Sequence, residues 1–269
     1  MTDALTGRLA LITGASQNLG LAIATEFAAQ GARLIMADLT APEEAAADLR
    51  DAFPRCEAVA IGFDLAVPAA IEAAFRDLAD RGFSPDVLVN NAAHLGLDDH
   101  GVDEDDDALF RAVLEVNLFG TYACSIHAAR SMVAAGRGAI VNISSLAGQR
   151  AIPSRLGYNT SKGAIDGMTR SMAIDLARSG VRVNAIAPGY VWSDRWTRID
   201  NEEAADRRSR IPWGEPTYTD EIARLAAFLA SEASSSLVGE VINIDGGLAA
   251  QQSPPTLFGA TADAEPCSA

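Results

Sequence analysis

Apolar residues along the chain fall into short unbroken runs that alternate with longer segments of helical spacing. Leu9-Ala10-Leu11-Ile12-Thr13 reads as a strand ended by Gly14, and residues 19–30 as a helix stopped by Gly31. The alternation then predicts a strand at 34–37, a helix near 42–53, a strand at 58–63, a helix at 68–80 and a strand at 86–89. A long helical stretch follows from about 103 to 134, then a strand at 139–143 and a helix at 158–179 closed by Gly180. Strands at 181–186 and 240–244 enclose a last helix at 219–231. The seven strands are near-continuous apolar runs, so each needs cover on both faces. Such a pattern predicts an α/β fold: a doubly wound, seven-stranded parallel sheet with helices on both faces.

Two stretches break the rhythm. Residues 190–215 gather all three tryptophans and a charged run, and read as a lid on the substrate side. Residues 251–269, with Pro254-Pro255, read as a C-terminal extension of a single domain spanning 1–250. No internal repeat is visible. The acidic run 103–107 reads as charge at a helix N-terminus rather than a metal site, because consecutive helical residues do not converge on one point. The three histidines have no ligand spacing, and no metal is expected.

Composition narrows the function. Hydrophobic residues are 49% and charged residues 21% of 269, which is enough apolar surface for an ordered core. A net charge of -15 argues against nucleic acid as a partner. No apolar run approaches the roughly 20 residues needed to span a bilayer, and the N-terminus lacks the pattern of a signal peptide. Three scattered cysteines fit a reducing compartment. The expectation is a cytoplasmic protein with no membrane partner.

The chain has one lysine, Lys162, among 21 basic side chains. A preference for arginine codons explains why lysine is rare, but not why this position keeps one. Lysine differs from arginine in having a tunable ionisation and a compact ammonium.

Between the first strand and the first helix lies Thr13-Gly14-Ala15-Ser16-Gln17-Asn18-Leu19-Gly20. Glycines here let the backbone approach a pyrophosphate, and the helix N-terminus favours the anion. Asp38, just past the second strand, can accept hydrogen bonds from both hydroxyls of an adenosine ribose and would repel a 2′-phosphate. Neither Gln17 nor Leu39 supplies a compensating cation, so NAD is expected over NADP; a solvent-facing loop aspartate is the alternative.

Tyr158 and Lys162 are one helical turn apart on one face. Tyrosine, with a free pKa of about 10, is a poor base at neutral pH. A neighbouring ammonium favours the phenolate. Ser145 ends the strand Ile140-Val141-Asn142-Ile143, and its hydroxyl emerges at the C-terminal strand end, where ligands bind in such sheets. Asn117 sits inside the long helix, where an amide is only a middling helix former.

With these residues in view, the chain resembles the short-chain dehydrogenase/reductase family over about residues 5–248. The resemblance rests on Thr13–Gly20, Asp64, Asn90-Asn91-Ala92, Asn117, Ser145, Tyr158, Lys162, Pro188-Gly189 and Asp245-Gly246-Gly247. It implies a Rossmann-type fold with Tyr158 as general acid/base. Ser145 would orient and polarise the substrate oxygen. Lys162 would hold the nicotinamide ribose and lower the tyrosine pKa, and Asn117 would position a relay water. Further implied cofactor contacts are Gly14, Ser16, Asn18, Leu19, Gly20, Asp38, Leu39, Asp64 and Leu65. Asn91, Ala92, Pro188, Gly189, Val191 and Ser193 complete that set. A homotetramer is implied, with the long helices and the last strand region at its interfaces. Three positions depart from the family pattern. Asn18 replaces a glycine and must tolerate a left-handed turn. Ala93 also replaces a glycine, and Ser193 replaces a threonine but keeps the hydroxyl.

For the substrate, the resemblance places His94, Arg150, Arg155, Trp192, Arg195 and Trp196 along the pocket, with Leu95, Arg198 and Trp213 nearby. Residues 145–210 carry a net +4 and the remainder -19. A relatively positive substrate side would suit an anion, because arginine forks match carboxylate and sulfonate. Solvated or paired arginines, and tryptophans in the core, are the competing reading. The expected function is NAD-dependent oxidation of a secondary alcohol on a small polar molecule: a sugar, sugar acid, sulfonated sugar or polyol. The alternatives are an NADPH-dependent 3-oxoacyl thioester or ketone reductase, and a non-catalytic dinucleotide-sensing scaffold.

Overall fold

The computed structural model describes residues 3–97, 107–193, 196 and 199–253. Seven strands form one parallel sheet: β1 (Leu9–Thr13), β2 (Arg33–Asp38), β3 (Ala58–Gly62), β4 (Val87–Asn90), β5 (Gly138–Ile143), β6 (Val181–Pro188) and β7 (Val241–Ile244). Their order is β3-β2-β1-β4-β5-β6-β7. The chain moves outward from β1 to β3, then returns to lay β4 on the other side of β1. That reversal opens a crevice between the C-terminal ends of β1 and β4, where open α/β sheets bind ligands.

Alternate residues of each strand feed opposite faces. Ala10, Ile12, Leu34 and Met36 pack under α1 (Asn18–Ala29) and the helix Thr219–Ala230. Leu9, Leu11, Ile35 and Ala37 belong to the core on the other face, with residues of the helices Pro68–Asp80, Thr121–Ala135 and Leu156–Leu176. In chain order the helices are α1, α2 (Glu43–Ala52), α3 (Pro68–Asp80), α4 (Asp107–Leu114), α5 (Thr121–Ala135), α6 (Leu156–Leu176), α7 (Asn201–Ser209) and α8 (Thr219–Ala230). None of the helices among the described residues is long and apolar enough to cross a membrane. Cys56 and Cys124 are buried free thiols.

Four local expectations change. The long central helix is two helices joined by a π-turn, Glu115–Gly120, so Asn117 stands in a widened turn rather than a regular helix. The sequence pattern misses this because the flanking residues keep helical dihedrals, with Leu114 at φ -68 and Thr121 at φ -60. Strand β5 ends at Ile143, so Ser145 lies beyond it and caps a 3-10 turn, Leu146–Gly148. The helix carrying Tyr158 starts two residues earlier, at Leu156. Finally, α7 occupies part of the stretch expected only as a lid. Asp200 caps it by accepting the Glu203 N–H at 2.8 Å, and none of its residues is buried.

Candidate active site and dinucleotide cleft

The crevice beside β1 begins with Thr13. Its Oγ1 accepts the N–H groups of Asn91 (3.0 Å) and Ala92 (3.1 Å). Asn91 returns its side-chain amide to the carbonyls of Thr13 (2.9 Å) and Gly14 (3.1 Å). These bonds lace together the loops that follow β1 and β4. Two glycines are then sterically required. A Cβ on Gly14, at φ +67, would lie 2.9 Å from the Ala92 Cα, and one on Gly20 would lie 1.9 Å from the Gly14 carbonyl oxygen. Asn18 adopts φ 48 and so takes the left-handed turn that its family counterpart meets with glycine. Ala93 is not among the positive-φ residues, so its Cβ brings no backbone strain. No side chain caps the N-terminus of α1 among the described residues, which leaves its leading N–H groups to an anion. The cradle, the uncapped helix and the closely approached backbone fit a pyrophosphate.

The adenosine side is built at the next strand ends. Asp38 closes β2, and its carboxylate accepts the N–H groups of Ser16 (3.1 Å) and Leu39 (2.8 Å). The Leu39 side chain is exposed. Positions 15–18 and 39–41 contain no lysine or arginine. Asp64 follows β3 and accepts the Ala66 N–H at 2.8 Å. Leu65 backs onto the π-turn, where a Cβ on Gly120 would come 2.8 Å from its own Cβ. On the other flank, Pro188 ends β6, Gly189 donates to the Ile244 carbonyl at 3.1 Å, and Val191 bridges to Thr217. The Ser193 carbonyl accepts the Trp196 N–H at 2.8 Å.

The lysine and tyrosine meet at the C-terminal end of β5. Lys162 is 3% exposed, its ammonium donates to the Ile143 carbonyl at 2.7 Å, and Nζ lies 5.6 Å from the centre of the Tyr158 ring. Burial pulls the lysine down to about 8, partly opposed by the negative charge of Asp166. Burial in turn pushes Asp166 up, against the hydrogen bond donated by Ser144. Asn117 ties the loop after β4 to α6. Its amide donates to the His94 carbonyl (2.9 Å) and Ser161 Oγ (3.0 Å), and its oxygen accepts the His94 N–H (2.7 Å). Ser145 Oγ accepts the Ala147 N–H at 3.1 Å. The turn it caps presses on the lysine's own turn: a Cβ on Gly148 would lie 2.7 Å from the Lys162 carbonyl carbon.

The substrate-side expectations divide. Arg155 reaches the site. Its guanidinium carbon is 5.5 Å from the centre of the Tyr158 ring, and it donates to the carbonyls of Leu95 (2.9 Å) and Gly96 (3.0 Å). Arg150 turns away to the Ala249 carbonyl. Arg195 and Arg198 lie outside the described residues. Trp196, expected on the pocket wall, is instead buried, and its indole donates to the Val191 carbonyl at 2.9 Å. Trp192 stacks on it at 5.5 Å, and Trp213 is 79% exposed. Arg207 and Arg208 of α7 lie over this aromatic cluster, at 5.8 Å from Trp196 and 5.3 Å from the same ring. Both also pair with acids, Glu203 and Glu215.

Several supports of the site are not visible in the sequence pattern. Thr13 lies in the glycine-loop motif, but its clamp on the loop after β4 comes only from the fold. Asn90 donates to Asn142 (2.8 Å) and Ser125 (2.9 Å), and Asn142 to Thr169 (2.9 Å), a buried polar rung beneath the site. The available sign is an asparagine near the C-terminal end of each of two otherwise apolar strands, and the two are register partners in β4 and β5.

Comparison with known proteins matches this geometry to a family. The family model described as enoyl-(acyl carrier protein) reductase matches residues 14–249. A cis-4-hydroxycyclohexanecarboxylate dehydrogenase from Sinomonas cyclohexanicum is 36% identical over 93% of this chain and 100% of its own length. A galactitol 2-dehydrogenase (L-tagatose-forming) from Cereibacter sphaeroides is 40% identical over 90% of this chain and 95% of its own. The crystal structure of a gluconate 5-dehydrogenase from Burkholderia cenocepacia J2315, in complex with NADP and tartrate, superposes with a TM-score of 0.83. It is 34% identical and covers 92% of this chain and 97% of that one.

Proposed function

This chain belongs to the short-chain dehydrogenase/reductase family, and on that premise we propose that it oxidises a secondary alcohol on a small polar molecule with NAD. The observation that carries the reading is the buried Lys162 ammonium 5.6 Å from the Tyr158 ring, at strand ends beside the glycine cradle. Bound NAD would supply the hydride acceptor. The loop Gly14 to Gly20 would hold its pyrophosphate, with Ser16, Asn18 and Leu19, and Asp38 would read the adenosine ribose. Leu39, Asp64 and Leu65 line the adenine side. Asn91, Ala92, Pro188, Gly189, Val191 and Ser193 line the nicotinamide side.

The protein's own residues manage the proton. The Tyr158 phenolate accepts it from the substrate hydroxyl, and the Lys162 ammonium stabilises that phenolate. Ser145 Oγ donates to the substrate oxygen as it becomes a carbonyl. Asn117, held by His94 and Ser161, orients the relay. The sugar, polyol or sugar-acid class follows from the relatives. Galactitol and gluconate are polyhydroxylated, and the cyclohexanecarboxylate and gluconate named for two of them are anions.

The preference for NAD rests on Asp38 and on the lack of lysine or arginine at positions 15–18 and 39–41. The NADP bound by the Burkholderia relative makes this the point to test first. Initial rates on sugars, polyols and their carboxylated analogues, each with NAD and NADP, decide it. Turnover with NAD of polyols or sugar acids is expected. Tyr158→Phe should abolish that turnover while NAD affinity holds; full activity in this variant would sink the assignment. A 3-oxoacyl-[acyl-carrier-protein] reductase from Aquifex aeolicus, 32% identical over 91% of this chain, favours one second reading, reduction of a 3-oxoacyl thioester with NADPH. Rapid NADPH consumption with a 3-oxoacyl thioester would establish it instead.

A homotetramer formed through α4, α5 and α6 completes the proposal. Phe119, Tyr122 and Val133 recur at helical spacing and are exposed, and Ile174 of α6 is 74% exposed.

A further inference from the structure

We propose that Arg155 is a second cation of the active site, a positioning residue that holds Tyr158 in its anionic form and fastens the loop beside it. The inference rests on the reading of Tyr158 as the base. Arg155 stands at the N-terminal boundary of α6, three residues before the tyrosine. Its guanidinium carbon is 5.5 Å from the ring centre, the same range as the 5.6 Å of the Lys162 ammonium. From there it reaches across to the loop after β4, bonding Leu95 and Gly96. That loop abuts the tyrosine: a Cβ on Gly96 would meet the Tyr158 Cβ at 3.9 Å.

The physics distinguishes the two forms of the ring. A guanidinium near a neutral phenol gains a modest cation–ring attraction. Near a phenolate it gains a full charge–charge attraction in a partly desolvated site. Only the difference shifts the ionisation, and it favours the phenolate. The two cations are not redundant. Burial brings Lys162 to about 8, so its charge fades at alkaline pH. A guanidinium keeps its charge throughout that range. Among the described residues, two other titratable groups stand near this turn, and neither is a fixed cation. His94, on the facing loop, accepts the Gly96 N–H on Nδ1 at 3.1 Å. Asp166 lies a turn beyond Lys162 and is bonded to Ser144. Helix α4 packs against this turn with the apolar Phe110 and Val113, at Gly157.

The test compares wild type, Arg155→Gln and Arg155→Lys in the pH profile of kcat/KM. It adds an ultraviolet difference titration of tyrosinate, taken with and without Tyr158→Phe in each background. Arg155→Gln should move the acid limb up by roughly one pH unit, with the rate recovering on the plateau above it. Arg155→Lys should restore the limb toward wild type. KM should change alike for neutral and carboxylated alcohols. Arg155→Met, which keeps the aliphatic stem, carries the test if the glutamine variant does not fold. An unmoved limb overturns the inference. So does a rise in KM confined to carboxylated substrates, which would give Arg155 to the substrate. A lower melting temperature with coincident tyrosinate titrations would make the arginine a structural tie only, and also overturns it. If no alcohol is turned over, the proposed activity fails, and the tyrosinate titration alone still decides the role of Arg155.

Discussion

Lys162 is held in place by a hydrogen bond to the Ile143 carbonyl and by its burial. An unfolded lysine titrates near 10.5, whereas this one titrates at about 8 because burial penalises its charge. Below 8 both states are charged and the folded state bears the full penalty. Between 8 and 10.5 the unfolded chain binds the extra proton, so rising pH relieves the penalty and adds stability. Lys162→Met should therefore melt at or above the wild-type temperature at pH 7 while losing turnover. Its advantage should shrink as pH rises through that window, as thermal melts across pH would show; a variant less stable at every pH would contradict this account. Asp38 is the other residue whose surroundings set its role, because two N–H groups aim its carboxylate across the mouth of the glycine loop. Asp38→Ala should narrow the ratio of kcat/KM for NAD over NADP by about tenfold, the size of one charge-assisted hydrogen bond of roughly 1.5 kcal/mol. An unchanged ratio would mean that another group reads the ribose.

Among the elements, α7 is the one that the hydrophobic pattern does not reveal. It buries no residue, so it has no apolar stripe to recognise. It is held instead by its Asp200 cap and by two arginines lying over Tyr190, Trp192 and Trp196. Each such contact is worth about 0.5–1 kcal/mol at an exposed site. Arg207→Ala combined with Arg208→Ala should loosen α7 from the aromatic cluster and raise KM several-fold. The NAD dissociation constant should stay within about twofold, because the glycine cradle lies on α1 at the other side of the switch point. Equal weakening of substrate and NAD, read by kinetics and calorimetry, would place α7 elsewhere in the mechanism. The π-turn is likewise invisible in the pattern, since one extra residue per turn barely alters helical spacing.

For the whole molecule, strand order does the assembling. β4 returns to lie beside β1, which brings the glycine loop, Asn91, the β5 end and α6 around one crevice. The two faces of the sheet are covered within the chain, yet the outer faces of α5 and α6 still expose Tyr122, Val133 and Ile174. Burying those side chains against another copy is the physical basis of the proposed tetramer. Ile174→Glu should put a charge into that contact and shift sedimentation toward smaller species. Wild-type and variant sedimenting alike would remove Ile174 from any interface.

Local periodicity determined the seven strands, most helices and the placing of Tyr158 and Lys162 on one helix face, because burial of a face and helical adjacency act over a few residues. The glycine loop and Asp38 were legible for the same reason, since each stands at a strand end in one continuous strand–turn–helix unit. Tertiary structure alone decided the rest. Asn117 meets Ser161 across 44 positions, and Arg155 meets Leu95 across 60. Trp196 went to the core and Arg150 to the C-terminal segment, although their residue types suited the pocket equally well. Such contacts depend on which strand lies beside which, and no spacing within a single element carries that information.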